Sequence, residues 1–188
     1  RQRGVTFINE RGNFKNSNTL MLSGANSVTF DCCILATGSQ PVIPNQFIDA
    51  IPYIMDSTAA LELSMIPKKL LVIGGGYIGL EMATTYSALG SRVTIVEMMD
   101  GLLPGVDRDL VRPLQAKLIK EFESIHLSTK IVSIRESGQS GCVTMVTMKE
   151  KIEESFDRIL VAVGRRPNTD NIGLENTNVE LDSKGFVK

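Results

Sequence analysis

One stretch limits what this chain can fold into more than any other: Lys69-Leu70-Leu71-Val72-Ile73, followed by Gly74-Gly75-Gly76-Tyr77-Ile78-Gly79. The short apolar run reads as a strand. Glycines at 74, 76 and 79 have the Gly-x-Gly-x-x-Gly spacing of a loop that turns into a helix beneath a phosphate group. That spacing alone is weak evidence, but its surroundings meet the further conditions. A helix is predicted from the loop to about Leu89, with Ile78, Met82, Thr85 and Leu89 on one face and Gly90 ending it. Arg92 to Glu97 is the next strand, and Glu97 closes it near the ~20-residue offset at which a dinucleotide fold places a carboxylate. Each position has its own physical reason. Gly74 permits the tight turn, Gly76 lets a pyrophosphate approach the backbone, and Gly79 lets the helix pack closely on the strand. The helix N-terminus offers free N–H groups and partial positive charge to the phosphates. Glu97 can accept hydrogen bonds from both ribose hydroxyls of NAD and repels the 2′-phosphate of NADP. No arginine follows it until Arg108, so NAD is favoured. The alternatives are glycines that merely end a strand and an exposed glutamate at a strand end.

Strands and helices alternate from Asp56 onward. Asp56-Ser57-Thr58 is expected to cap a short helix through Leu63, stopped by Pro67. Pro104 and Asp107 open another helix, with Leu110, Leu114, Leu118 and Phe122 as an i, i+4 stripe. After Ile125-His126-Leu127 the alternation stops. Ile131 to Ile134, Val143 to Met148 and Ile152 to Phe156 read as an antiparallel meander, with Lys149-Glu150-Lys151 at a solvated tip. Ile159 to Val163 is a deeply buried strand ending in Gly164-Arg165-Arg166-Pro167-Asn168. The opening of the chain has the same phrase. Val5 to Ile8, Thr19 to Leu22 and Val28 to Phe30 are β-type runs, with turns at Arg11-Gly12-Asn13 and Ser23-Gly24-Ala25-Asn26. The apolar run Cys33-Ile34-Leu35-Ala36-Thr37-Gly38-Ser39 then reads as a strand buried on both faces. The predicted fold class is α/β: a Rossmann-like dinucleotide-binding domain with a parallel sheet plus an antiparallel β-meander, preceded by the β-rich tail of a related domain. The boundary is expected between about residues 41 and 54, dividing the chain into 1–45 and 46–188.

Composition narrows the function classes. With 188 residues, 43% of them apolar and 22% charged, and a net charge of −1, the chain can bury a core and is not a disordered tail. No apolar run approaches the ~20 residues that span a bilayer, which argues against a membrane protein. A pI near 5.9 without a Lys/Arg block argues against nucleic acid as a partner. Three cysteines, two of them adjacent, fit a reducing cytoplasm. Cys32, Cys33 and Cys142 are read as small core residues, because a reactive thiol needs exposure and thiolate stabilisation. His126, the only histidine, has no carboxylate patterned beside it and is given no catalytic role. No signal peptide is read, and a start at Arg1 instead of methionine leads to the expectation of a piece of something longer.

Leu71-Val72-Ile73-Gly74-Gly75-Gly76-Tyr77-Ile78-Gly79-Leu80-Glu81, with Ala36-Thr37-Gly38-Ser39 before it and Val161-Ala162-Val163-Gly164-Arg165-Arg166-Pro167-Asn168 after it, resembles the flavin-dependent disulfide oxidoreductases. Asp56-Ser57-Thr58-Ala59-Ala60-Leu61-Glu62-Leu63 and Val96-Glu97-Met98-Met99-Asp100 resemble the bacterial dihydrolipoamide dehydrogenases most closely. The resemblance covers essentially the whole chain. It implies a central NAD domain preceded by the closing part of an FAD domain. In such enzymes electrons pass from dihydrolipoamide to a redox disulfide, then to FAD, then to NAD⁺, in the service of a 2-oxo acid dehydrogenase complex. It also implies site residues. Tyr77 or its neighbour, with Ile78 beside it, lies over the flavin face at the nicotinamide pocket. Glu81 sits near the nicotinamide and pairs with a lysine close to the flavin. Ile131 and Gly164 line the adenine and ribose end, while Gly12, Thr37 and Gly38 lie near FAD. Arg165 and Arg166 either meet the diphosphate or face solvent or another domain.

Several parts of that pattern do not occur within these 188 residues: the N-terminal FAD fingerprint, a cysteine pair spaced by four residues, a His-Pro acid/base and a later Gly-Asp flavin motif. No catalytic residue and no metal ligand is assigned, and the chain alone is expected to be inactive. Three other readings stay open. A mercuric or glutathione-type reductase shares the chemistry, but the glutathione type should show arginines after the second strand. A non-catalytic dinucleotide-binding module has no need of Tyr77 and Glu81. The glycine loop as an FAD site would normally stand at the N-terminus, whereas here a meander precedes it.

Overall fold

The computed structural model describes residues 3–188, without the side chains of residues 48–51. Contacts gather the chain into two units, one of residues up to Gln40 together with Arg165–Lys188, the other of Pro41–Gly164. The closing segment therefore groups with the opening one, where the sequence places it in a second domain running from 46 to 188.

In the first unit β1 (Gly12–Asn16), β2 (Thr19–Leu22) and β3 (Ser27–Thr29) form an antiparallel meander, with Phe14 opposite Leu20. Gly12 is the first residue of β1, not part of a turn, and Val5 to Ile8 form no strand. Phe14 is buried, with the Phe30 ring edge-on to it at 6.2 Å between centroids. The largest departure from expectation lies at Cys33 to Gly38, which is irregular, with Ile34 92% exposed and both Cys32 and Cys33 exposed. A strand buried on both faces needs a sheet beside it and layers above and below. Cys33 to Gly38 join no sheet among the described residues, Leu35 is only half-buried, and the adjacent exposed thiols are not core residues. β4 (Ser39–Pro41) ends the segment.

The second unit opens with a 3₁₀ helix over Asn45–Tyr53 and the short β5 (Ile54–Met55). α1 (Ser57–Leu61) starts where the Asp56 side chain accepts a hydrogen bond from the Ala59 N–H at 2.8 Å. Then come β6 (Lys69–Ile73), α2 (Tyr77–Ala88), β7 (Arg92–Val96), α3 (Arg108–Glu121) and β8 (Ser124–His126). The meander of β9 (Lys130–Ser137), β10 (Ser140–Val146) and β11 (Lys151–Phe156) leads into β12 (Arg158–Val161). β5, β12, β6, β7 and β8 lie side by side in that order, all parallel.

Alternation along β6 explains the layering. Leu70 and Val72 face the helices, joining Val93, Ile95, Leu160, Ala83, Tyr86 and Leu118. Leu71 and Ile73 face the other way, where the meander lays Ile131, Ile134, Val143, Met145 and Phe156 over the sheet. Both faces are thus covered, as a continuous apolar strand requires. The helix faces differ from the expected ones. α2 buries Gly79, Leu80, Ala83 and Tyr86, while Thr85 and Leu89 are exposed and Ile78 and Met82 only half-buried. Glycine and alanine one turn apart let α2 lie close to the sheet, and the side of small residues wins over the side of large ones. Tyr86 completes that contact by donating its hydroxyl to the Ala60 carbonyl at 2.8 Å, and burial pushes its pKa up. On α3 the inward stripe begins at Val111, not at Leu110, which is 66% exposed, and continues through Leu114, Leu118 and Phe122.

β13 (Arg165–Pro167) pairs with β4, which returns the chain to the first unit. There the Phe14 N–H donates to the Ile172 carbonyl at 2.8 Å, and Leu174 of a 3₁₀ turn over Leu174–Asn176 is buried. No helix among the described residues is long and apolar enough to cross a membrane.

Candidate functional site

The chain runs from β6 to β7 and β8 on one side, then comes back to β12 on the other, so the strand order reverses between β6 and β12. In open parallel sheets the crevice beyond the carboxyl ends of the strands at such a reversal is where ligands bind. Gly74, after β6, and Gly164, after β12, flank it. Gly74 has φ +110°, donates its N–H to the Val96 carbonyl at 2.9 Å, and has the Ala162 carbonyl oxygen where a Cβ would go. Only glycine makes this turn. Gly79 is excluded from growing for a different reason: its Cβ would strike the Gly74 carbonyl oxygen.

Gly76 differs from both. It is the N-cap of α2 at φ −77° and ψ 177°, a conformation open to any residue, and no atom lies within 4 Å of where its Cβ would be. No side chain caps α2. The helix therefore starts without a side-chain cap, beside a backbone left bare for no reason internal to the protein.

Glu97 stands across from this turn, 8% exposed. Its Oε2 accepts from the Gly75 N–H and its Oε1 from the Met99 N–H, both at 2.7 Å. Its backbone is fixed as well, the N–H donating to the His126 carbonyl and the carbonyl accepting from Thr129. Each carboxylate oxygen holds one backbone donor and keeps a lone pair for another. The acid faces the glycine loop.

The other residues named from the sequence divide between the units. Tyr77, 67% exposed, and Glu81, exposed, stand on the first turns of α2, with Ile78 half-buried between them. Ile131 is in β9 with its side chain in the apolar layer under the meander, which leaves only its backbone for a ligand. Gly164 has φ +149° and open space around it. Gly12, Thr37 and Gly38 belong to the first unit, where the Thr37 and Gly38 carbonyls accept from the Asn168 side chain and backbone, each at 3.0 Å. Arg165 is there too, its Nε donating to Ser39 Oγ at 2.8 Å and its Nη2 to the Ser39 carbonyl at 2.6 Å. His126 lies in β8, and no group of three or more possible metal ligands occurs among the described residues.

Two features escaped the sequence reading. Gly75 occupies a variable position of the spacing, yet a Cβ there would come within 2.8 Å of Leu102 Cδ2 and 3.2 Å of Glu97. The loop after Glu97 also reaches back onto the glycine turn, its Leu103 N–H donating to the Gly75 carbonyl at 2.8 Å. Pro104, read from the sequence as opening the helix with Asp107, lies instead in a turn before it, since α3 begins at Arg108 with Asp107 as its N-cap.

Residues 1–188 match the family described as pyridine nucleotide-disulphide oxidoreductase. The chain is 40% identical over 195 residues to a dihydrolipoyl dehydrogenase of Vibrio parahaemolyticus, covering 100% of this chain and 40% of that protein. It is 39% identical over 193 residues to one of Haemophilus influenzae, covering 98% and 39%. Among solved structures, the Cu(II) complex of the HOCl-induced flavoprotein disulfide reductase RclA from Escherichia coli matches with a TM-score of 0.83 and 28% identity, over 96% of this chain and 41% of that one. The chain thus spans about 40% of the length of these relatives.

Proposed function

The chain belongs to the pyridine nucleotide-disulphide oxidoreductase family, and from that premise we propose that it is the NAD-binding portion of a dihydrolipoamide dehydrogenase. The observation that carries this reading is Gly76. Neither its backbone conformation nor any neighbouring atom requires glycine there. A bare backbone at an uncapped helix N-terminus is the cradle a diphosphate needs. The residues present therefore fit the dinucleotide. Gly76 and the first N–H groups of α2 hold its diphosphate, while Gly74 and Gly79 let turn and helix come together beneath it. The spare lone pairs of Glu97 accept the hydroxyls of the adenosine ribose. Gly164 and the backbone of Ile131 border the adenine end, and Tyr77, Ile78 and Glu81 border the nicotinamide end. When bound, the nicotinamide supplies the hydride-accepting ring, and the part of this chain is to bind and orient it.

In the longer protein, FAD is assigned to the surroundings of Gly12, Thr37 and Gly38. The whole protein oxidises dihydrolipoamide, passes the electrons through a disulfide and FAD to NAD⁺, and serves a 2-oxo acid dehydrogenase complex. Free thiols at Cys32, Cys33 and Cys142 suit a reducing compartment such as the cytoplasm. A second reading, another flavoprotein disulfide reductase, is favoured by the likeness to the Escherichia coli reductase. Dihydrolipoamide oxidation by the full-length protein separates the two.

NADH fluorescence titration tests the nucleotide site. The chain is expected to bind NADH more tightly than NADPH, and Glu97→Gln to narrow the difference. Equal or tighter binding of NADPH by the unsubstituted chain removes the role given to Glu97. No lipoamide turnover is expected from the chain by itself.

A further inference from the structure

Between Glu97 and α3 the chain forms a loop that rests on the glycine turn. Leu102 is fully buried, with Cδ2 filling the space where a side chain on Gly75 would go, and Leu103 bonds the Gly75 carbonyl. Leu103 has φ +49°, a left-handed conformation that a leucine holds only where its surroundings over-determine it. Pro104 and Gly105, the latter at φ +87°, fill a turn closed by the Val106 N–H donating to the Leu103 carbonyl at 3.1 Å. Neither a helix nor a sheet ladder holds this loop in place. Arg108 does. Its Nη1 donates to the Leu102 carbonyl at 2.8 Å, and its Nη2 to those of Leu103 at 2.6 Å and Val106 at 2.7 Å. Its Nε donates to the Val106 carbonyl at 3.0 Å. Gly101 makes room for it, since a Cβ there would come within 2.5 Å of Nη1.

We infer that Arg108 is a positioning residue for the nucleotide site: its guanidinium sets the 102–106 loop, and that loop sets the Gly75 backbone next to the diphosphate cradle. This rests on the reading of that cradle as a dinucleotide site. A planar fork of donors suits the task, because it meets several carbonyls at once in one plane, which an ammonium does not. The same bonds occupy four of the five N–H groups of the guanidinium. Arg108, the first arginine after Glu97, is therefore spent on the loop and withheld from a 2′-phosphate.

The test uses ADP-ribose, which carries the adenosine and diphosphate without the nicotinamide, titrated calorimetrically into the chain. Arg108→Met is expected to raise Kd about tenfold or more, the loss of one charge-assisted hydrogen bond to the diphosphate, at unchanged stoichiometry. Arg108→Lys weakens binding in the same sense. Arg112→Met, which removes the same charge from an exposed site on α3, leaves Kd as it was. A wild-type Kd in Arg108→Met overturns the inference, including the case in which only the stoichiometry falls because fewer molecules fold. Should Arg108→Met fail to fold, a wild-type Kd in Arg108→Lys overturns it equally. Amide exchange at Gly75 and Leu103 is read in parallel, with faster exchange expected in the Arg108 variants. Unchanged protection sinks the positioning role whether or not ADP-ribose binds, whereas loss of binding by the unsubstituted chain sinks the nucleotide reading alone.

Discussion

Replacing Gly76 by alanine should separate binding from folding. At φ −77° and ψ 177° alanine fits without strain, and its methyl group meets no protein atom within 4 Å. Narrowing the unfolded chain contributes about 0.4–1 kcal/mol of stability. Alanine is a poorer N-cap than glycine by about 0.5–1 kcal/mol. The two nearly cancel, so the folded state should shift by less than about 1 kcal/mol. Binding has no such compensation. The methyl occupies open space at the uncapped start of α2, and keeping a diphosphate from one charge-assisted hydrogen bond there costs about 1.5–3 kcal/mol, or roughly 10- to 100-fold in affinity. Gly79→Ala is the counterpart. Its Cβ meets the Gly74 carbonyl oxygen and lies 3.3 Å from Val72 Cγ1, away from the open side of the turn. That overpacking should cost about 1–3 kcal/mol of stability. Thermal melts and NADH fluorescence titrations of the two variants give the contrast. The reasoning fails if Gly76→Ala binds NADH as the unsubstituted chain does, or loses as much stability as Gly79→Ala.

Three further outcomes follow from other parts of the molecule. Asp56→Ala removes the side-chain cap of α1 and should cost about 1 kcal/mol, read as a lower urea midpoint; an unchanged midpoint would show the cap to be idle. Cys32 and Cys33 should react with an aromatic disulfide reagent faster than the half-buried Cys142, and three equally slow thiols would contradict the exposure of that segment. Backbone N–H groups of Phe186 and Lys184 hold the Asp182 carboxyl below its usual range. A lowered folded pKa means that the turn is fully stabilised above the unfolded pKa and loses that stabilisation as pH falls through the folded one. The amide shifts of residues 184 and 186 should therefore titrate with a midpoint below that of an ordinary aspartate, and a midpoint at or above it would refute this.

The elements most legible in the sequence depend on neighbours along the chain. Gly74, Gly76 and Gly79 mark a strand, a turn and a helix start. The continuous apolar run within Lys69–Ile73 marks a strand covered on both faces, and Asp56 marks a cap. Each follows from backbone sterics or from hydrogen bonds a few residues long, so the local string suffices. What required the tertiary structure is what meets across space. Apolar period alone favoured Leu110 on α3 and the large residues on α2. Docking on the sheet selected Val111, Gly79 and Ala83 instead, because the approach distance of a helix is set by its smallest side chains. The run at Cys33 to Gly38 reads as a buried strand, yet burial belongs to a pair of surfaces, and among the described residues no sheet layer covers Ile34 or the adjacent cysteines. Glu97 was legible as an acid at the end of a strand. That it clasps Gly75, and that the loop tied down by Arg108 docks on the same turn, came only from residues far apart in sequence converging at one end of a parallel sheet.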